Sequence, residues 1–373
     1  MPVEVRPGTP LELALAQLEI DADRWQLVAM ARGMMRGYDA RWRQSQQNIV
    51  VEQIESTYES PLFNPETGCR SRTFSVAGKI DKLAQQDGLV LYDHKTTSSN
   101  NDIADPSSTH WRQLNIDAQA KHYELLLWAN GIRVDRVIWD VARKPGIRPK
   151  KLTKAEMTEI DSLGHYYGFD LSAEAIETAR TTGQEDAELY ELRVAAETIN
   201  NPDRYFQRRS VPRLRSELAE YASELWDIAT EIREARRHRR WYRNSGACMN
   251  YGTPCQFLGI CSGHDDEHSD NWGHRPQVHA ELDLDGSDVL THSRMRCFQT
   301  CRRKHMYQYE LGLSRVDEEE REALFFGSLW HQAIDAYWAA TVCEGVDDEH
   351  CDERPVDPVD GSEAASTTAE FPV

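Results

Sequence analysis

Apolar positions change period several times along the chain, and the changes mark out its elements. Leu11, Leu13, Leu15 and Leu18 precede an Asp-rich break at 21–23, and Leu27, Val28, Met30, Met34 and Tyr38 then recur between Trp25 and Trp42. This predicts helices over 10–44 that pack into a core. Residues 48–60 alternate as a strand does. Phe74, Val76 and Ile80 supply the apolar positions of a second strand, and Leu89 to Tyr92 those of a third. Gln85-Gln86-Asp87-Gly88 joins them, and Asp-Gly is a strong hairpin signal. A polar loop follows Lys95, long enough to be mobile or to touch a substrate. Trp111 to Asn130 reads as one helix with Leu114, Leu125, Leu126 and Trp128 toward the core, stopped by Gly131. Val134 to Val141 reads as a strand and 153–200 as two or three helices. From Pro212, with Ser210 as a start signal, Leu214, Leu218, Ala222, Leu225, Ala229 and Ile232 keep helical steps. Strands interleaved with helices predict an α/β fold.

Composition narrows the class. A chain of 373 residues can bury one elaborated domain or two. With 28% charged residues and a mean hydropathy of −0.67, the expectation is a soluble, cytoplasmic protein. No run reaches bilayer-spanning length, and no basic start precedes an apolar segment at the N-terminus, so no membrane partner is expected. The net charge of −19 is unevenly spread. The stretches around 262–290 and 344–373 are acidic, whereas Arg143 to Lys154 and Arg233 to Arg243 are basic. The tail from Glu344 onward has the composition of a disordered segment. Eight cysteines without a secretory signal argue against a disulfide framework.

Two groups of residues carry candidate chemistry. Asp93 and Lys95, two apart, point to one face of an extended chain, and pairing of the hairpin brings Asp81 toward them. Neighbouring carboxylates repel, and a divalent cation such as Mg²⁺ relieves that repulsion; spacing alone favours solvated charges at the ends of a hairpin. Glu52 on the preceding strand is either a further cation ligand or a solvent-facing carboxylate. Cys248, Cys255 and Cys261 fall on one short Gly- and Pro-bent stretch, which suits an iron–sulfur cluster or Zn²⁺, with buried thiols as the alternative. Cys261-x-x-His264 leaves a zinc site open, although His264, His268, His274 and His279 also fit a solvated acidic linker. The two basic stretches fit either solvated faces or contacts to phosphate, with Trp241 and Tyr242 as stacking surfaces.

Gly78-x-x-Asp81, an apolar strand, then Asp93-x-Lys95-Thr96 resembles the core of the PD-(D/E)XK nucleases. Gln119-Ala-Lys-His-Tyr123 on the next helix is similar to the Gln-x-x-x-Tyr motif of the RecB-like branch, which includes AddB-type and CRISPR-associated exonucleases and phage relatives. In that branch a [4Fe–4S] cluster is held by three late cysteines and one from an early helix. Cys248, Cys255 and Cys261 resemble the trio. The early helix is matched by Ser293 to Tyr307, with Cys301 at the ligand position, Cys297 as a lesser candidate and Arg302 in place of a proline. Phe326-Gly327 to His331 matches the histidine that follows.

The resemblance implies a restriction-endonuclease-like core, a mixed central sheet flanked by helices, with a helical Fe–S module. It implies that Asp81, Asp93, the carbonyl of His94 and His331 hold Mg²⁺ or Mn²⁺. Lys95 would position or activate the attacking water, and Gln119 and Tyr123 would hold Lys95 or the DNA backbone. Cys248, Cys255, Cys261 and Cys301 would bind the cluster, with Zn²⁺ as the alternative metal. The expected activity is DNA exonuclease action in repair, recombination, phage or CRISPR-type processing, beside a separate helicase or CRISPR or recombination protein. A catalytically silent DNA-binding or assembly module is the alternative. No Walker-type phosphate loop occurs. The Cys/His segment comes last here, so the motif order is permuted relative to the family. The expected division is a nuclease core over 1–150, a helical region ending in the cysteines over 151–262 and an acidic linker over 263–290. A Cys/His segment over 291–342 would complete the nuclease, and 343–373 is the tail. A flexible linker of that length spans ~30 Å, so closure onto the same chain is feasible.

Overall fold

The computed structural model describes residues 9–19, 21–210, 215–250, 253–275, 279, 282, 288–316 and 321–343. The start signal at Pro212, Leu214 and the acidic tail with Cys351 lie outside them.

A mixed sheet forms the centre. Its strands β1 (Val50–Phe63), β2 (Arg70–Gln85), β3 (Leu89–Thr97), β4 (Arg136–Arg143) and β5 (Phe206–Ser210) lie side by side in that order. The β1–β2, β2–β3 and β4–β5 pairs are antiparallel and β3–β4 is parallel. Asp87 and Gly88 both have positive φ, +50° and +108°, as a tight hairpin turn requires. The third strand runs on through Thr97, which places Asp93 and Lys95 inside it rather than at its end.

Helices α1 (Pro10–Ala16), α2 (Trp25–Trp42), α7 (Ala187–Asn200) and α10 (Glu322–Cys343) share one core with Val51, Ala84, Val90, Tyr92 and Ile138 of the sheet. A β-carbon on Gly33 would stand 2.5 Å from the Glu191 carbonyl, and one on Gly37 would collide with Thr198. These two glycines, one turn apart, let α2 and α7 approach backbone to backbone. Trp111 to Asn130 is not one helix but two, α3 (Thr109–Asn115) and α4 (Ala118–Ala129). The break comes where the Asp117 carboxylate accepts the Gln119 N–H and starts a new helix. Both pack on the opposite side of the sheet with Leu83, Leu91, Trp139 and Val141. The polar loop before them is anchored, with Ile103 fully buried and its carbonyl accepting from Trp111 Nε1 at 2.8 Å.

The three helices over 153–200 are α5 (Lys154–Leu163), α6 (Ala173–Thr182) and α7. The long amphipathic helix is α8 (Arg215–His238). The last segment returns to the same chain. Strand β6 (Val289–Leu290) pairs in parallel with Ser75 and Val76 of β2, and α9 (His292–Thr300) packs against β2 and α8 through Met295 and Phe298. Part of the stretch expected to be a linker is built into the fold. Trp272 stacks on Phe257 at 5.3 Å, residues 272–274 pair with 313–315, and His279 is buried with Nε2 3.1 Å from the Val289 carbonyl. Single apolar residues set in an acidic run supply that packing, and a compositional reading averages over them.

Because β6 covers only the start of β2 and β3 only its end, the middle of β2 has an open edge. The freed Ala77 carbonyl lies 3.0 Å from His122 Nε2, and Nδ1 of that ring lies 3.1 Å from the Tyr221 hydroxyl. Burial lowers the His122 pKa to about 4. The unfolded chain, titrating near 6.5, therefore takes up this proton first as the pH falls. Stability that is complete above about pH 6.5 is lost down to about pH 4, by about 3 kcal/mol from this group. His122→Gln is expected to flatten the fall in melting temperature between pH 7 and 4.5; an unchanged slope would refute the assignment.

Candidate active site

The ladder between β2 and β3 ends at Lys82 and Tyr92. Asp81 and Asp93 stand at the next position, where the strands part, and the Asp81 carboxylate accepts the His94 N–H at 2.7 Å in place of a backbone carbonyl. Asp93 is 1% exposed. Its counter-charge is Lys95, whose Nζ lies 2.5 Å from Oδ2. Lys95 donates to Gln119 Oε1 at 3.0 Å, and Gln119 Nε2 donates to the Tyr123 hydroxyl at 2.8 Å. Residues i and i+4 of α4 thus look into one site, as their spacing predicts. Gly78 makes room for this arrangement, because a β-carbon there would lie 2.9 Å from the Tyr123 ring.

Electrostatics follow from this packing. Burial, and then the charge of Asp93, holds the Asp81 carboxyl well above the usual carboxylate range. Burial raises Asp93 as well, against the pull of Lys95. For Lys95 burial opposes the charge, but Asp93 and Asp81 outweigh it and raise the pKa. Two buried carboxylates side by side are a donor set suited to a hard divalent cation.

Behind the site lies a network that the sequence did not reveal. The His94 side chain points away from Asp93 and Lys95, with Nδ1 3.3 Å from Asp140 Oδ2, and burial lowers its pKa to about 4. Asp140 also accepts from the Tyr38 hydroxyl at 2.5 Å and from Arg208 Nε at 3.1 Å. Lys82 is fully buried, its ammonium 3.2 Å from the ring centre of Trp338 and 3.8 Å from that of Tyr92. These side chains come from β2, β3, β4, β5, α2 and α10, so no local pattern could announce them.

His331 projects from α10, its ring 6.5 Å from that of His94. Its ligand atom lies within 4.8 Å of one on Glu55 and one on Asp335, the only such group of three metal-binding side chains found among the described residues. Glu55 and Asp335 were missed, although Asp335 follows His331 at helical spacing. Glu52 on that strand projects into solvent, the second of its two readings, and accepts from Gln85 Nε2 at 2.9 Å. It sits at a register shift, where its place in the alternation is lost.

Cys255 and Cys301 come near Cys261 beyond the end of α9. A small hairpin pairs Met249 with Pro254, and the Cys255 N–H donates to the Cys248 carbonyl at 2.8 Å. Asn244 N–H meets Cys301 Sγ at 3.5 Å. Burial raises the Cys261 thiol, and Cys255 and Cys301 are near enough to raise it further. Cys297 is buried, pushed up to about 12 first by burial, and its Sγ lies 3.8 Å from Gln308 Oε1. His264 contacts Ser262, and neither it nor any three of these cysteines forms a group of ligand atoms within 4.8 Å of one another among the described residues. Trp241 is not a free stacking surface, because it stacks on His305 at 5.8 Å; Tyr242 is 60% exposed. Several cations of the basic stretches are committed internally, Arg143 to Ser99, Lys150 to Glu156 and Arg236 to Asp288 and Glu310.

No helix among the described residues is long and apolar enough to cross a membrane. No curated protein and no solved structure matches the chain. A family description does match: that of the PD-(D/E)XK nuclease superfamily, over residues 7–262 and 289–367. The two matched segments leave out most of the stretch read as a linker. On this match, spanning most of its length and centred on a mixed sheet flanked by helices, the chain belongs to the PD-(D/E)XK nuclease superfamily.

Proposed function

We propose that this chain is a Mg²⁺- or Mn²⁺-dependent DNA exonuclease of the RecB-like branch. One observation carries this reading: the Lys95 ammonium is held between Asp93 and Gln119, beside Asp81, on the open part of a sheet edge. Asp81, Asp93, the His94 carbonyl and His331 would hold the cation. The bound cation would supply positive charge to the phosphoryl oxygens as negative charge develops there. Lys95 orients the attacking water and stabilises charge at phosphorus. Gln119 fixes the direction of that ammonium and is itself fixed by Tyr123. The network of Asp140, Tyr38 and Arg208 keeps His94, and through its N–H Asp81, in place.

Cys248, Cys255, Cys261 and Cys301 would hold a [4Fe–4S] cluster, and its role is structural. It ties the hairpin at 248–255 to the end of α9, which the sequence separates by some fifty residues. The nearness of Cys255 and Cys301 to Cys261 supports this assignment.

The test is cleavage of end-labelled linear and closed circular DNA by protein purified without oxygen, with Mn²⁺, Mg²⁺ or EDTA, beside Asp93→Asn. Metal-dependent degradation of linear DNA alone, absent in the variant, is the expected result. Cleavage of circles would make the enzyme an endonuclease. Metal-independent or Asp93-independent cleavage would overturn the site. DNA binding without cleavage would favour a silent binding module.

A further inference from the structure

On the nuclease reading proposed above, we infer that the cleft between the α3–α4 break and helices α8 and α9 holds one unpaired nucleobase of the substrate strand, a base that presents an exocyclic amine. The cleft originates in the local sequence. Asp117 caps α4 just after α3 has ended, and the turn between them parts the two helices. Residues 116–118 of that turn form one wall, α8 and α9 form the other, and they enclose about 480 Å³. Pockets for small organic groups occupy roughly 300–1,000 Å³. Leu114 and Met295 are buried and supply an apolar floor, and Ile116, 77% exposed, supplies an apolar surface at the mouth against which a flat ring can lie. His110 is half-buried in the lining, and its Nε2 is covered without a hydrogen-bond partner. Such an atom costs free energy that a ligand can recover.

The charges of the lining decide which part of a nucleotide fits. Burial holds His110 and His292 toward their neutral forms. Asp117 and Glu224 then outnumber Arg296. A phosphate would meet net negative charge there, whereas an amine meets carboxylate acceptors. Asp117 already accepts the Gln119 N–H, which makes Glu224 the principal acceptor. Cytosine and adenine carry an amine on their pairing edge and thymine does not, and that edge can be read only where the strand is unpaired. The cleft adjoins the reacting groups. Gln119, which accepts from Lys95, follows Asp117 by two residues, and His292 Nε2 lies 3.9 Å from Asp117 Oδ1. Asp117 is close enough to act electrostatically on both Asp93 and Lys95. A strand whose phosphate sits at Lys95 can thus lay an adjoining base in the cleft.

The test compares single-stranded oligo(dC) with oligo(dT) of equal length on the full chain, by Kd in EDTA and by kcat/KM with saturating Mn²⁺. A preference for oligo(dC) of about tenfold is expected in both. Glu224→Ala should bring the two strands close to level. Ile116→Ala should weaken both strands alike and keep the preference. Glu224 and Ile116 are exposed, and thermal melts verify that both variants fold. Equal values for the two strands in the wild type, or a preference unchanged by Glu224→Ala, with cleavage intact, would overturn the subsite and leave the nuclease standing. A binding preference that Glu224→Ala abolishes, without metal-dependent cleavage, would refute the nuclease reading alone. Binding of neither strand would overturn both.

Discussion

Lys95→Ala is expected to slow phosphodiester hydrolysis by about 10³-fold, with DNA affinity nearly unchanged. Lys95 touches both Asp93 and the side chain of Gln119. Its pKa is raised, so across the neutral range it acts as a fixed positive charge rather than as a proton carrier. Such a charge matters most when negative charge builds up at phosphorus, so its loss should fall on kcat and little on KM. Cation binding should persist in the variant, because removing the ammonium also removes a competitor for Asp93. Lys95→Arg is not expected to restore activity, since a planar guanidinium cannot occupy the same point. Single-turnover rates with saturating Mn²⁺ decide the matter. An unchanged rate with weakened DNA binding would make Lys95 a substrate anchor.

Cys255→Ser is expected to abolish bound iron and visible absorption in protein purified without oxygen, and to lower the melting temperature. The apolar support at this end is thin: Phe257, Trp272, Tyr307 and Leu313 form a small cluster with Cys255 and Cys261 at its margin. Bonds from thiolates to a metal group would therefore carry much of the local stability, as they do in other small metal-bound modules. Cys297→Ser is the control. That thiol is buried and contacts Gln308, so iron should be retained in the variant. Iron content and absorption spectra of the two variants, measured together, test the assignment. Zinc in place of iron, or iron lost from Cys297→Ser but not from Cys255→Ser, would sink it.

The hairpin that carries Asp81, Asp93 and Lys95 was legible because its signals are local. Alternation placed Asp93 and Lys95 on one face, Asp-Gly placed the turn, and the i, i+4 spacing placed Gln119 beside Tyr123. The helix over 111–130 was misread at Asp117, where a capping carboxylate outweighed continuous apolar spacing. Strand β5 went unseen because its Gln, Arg and Ser residues carry no apolar alternation, its place being set by pairing with β4. Glu55 went unnoticed, since the register of β1 is decided by its partner strand.

By itself, then, the sequence determined the superfamily, the hairpin with its carboxylates and lysine, the helical pair beside them and the four candidate thiols. Each depends on residues close together in the chain, where backbone periodicity dictates direction. Only the tertiary structure decided that α10 crosses the sheet to bring His331 and Asp335 to Glu55, and that β6 leaves the middle of β2 open at Asp81. It alone set Asp140, Tyr38 and Arg208 behind His94. These juxtapositions join residues up to 280 positions apart (Glu55 to Asp335). What fixes them is the burial of apolar faces against one another, which sequence spacing does not encode.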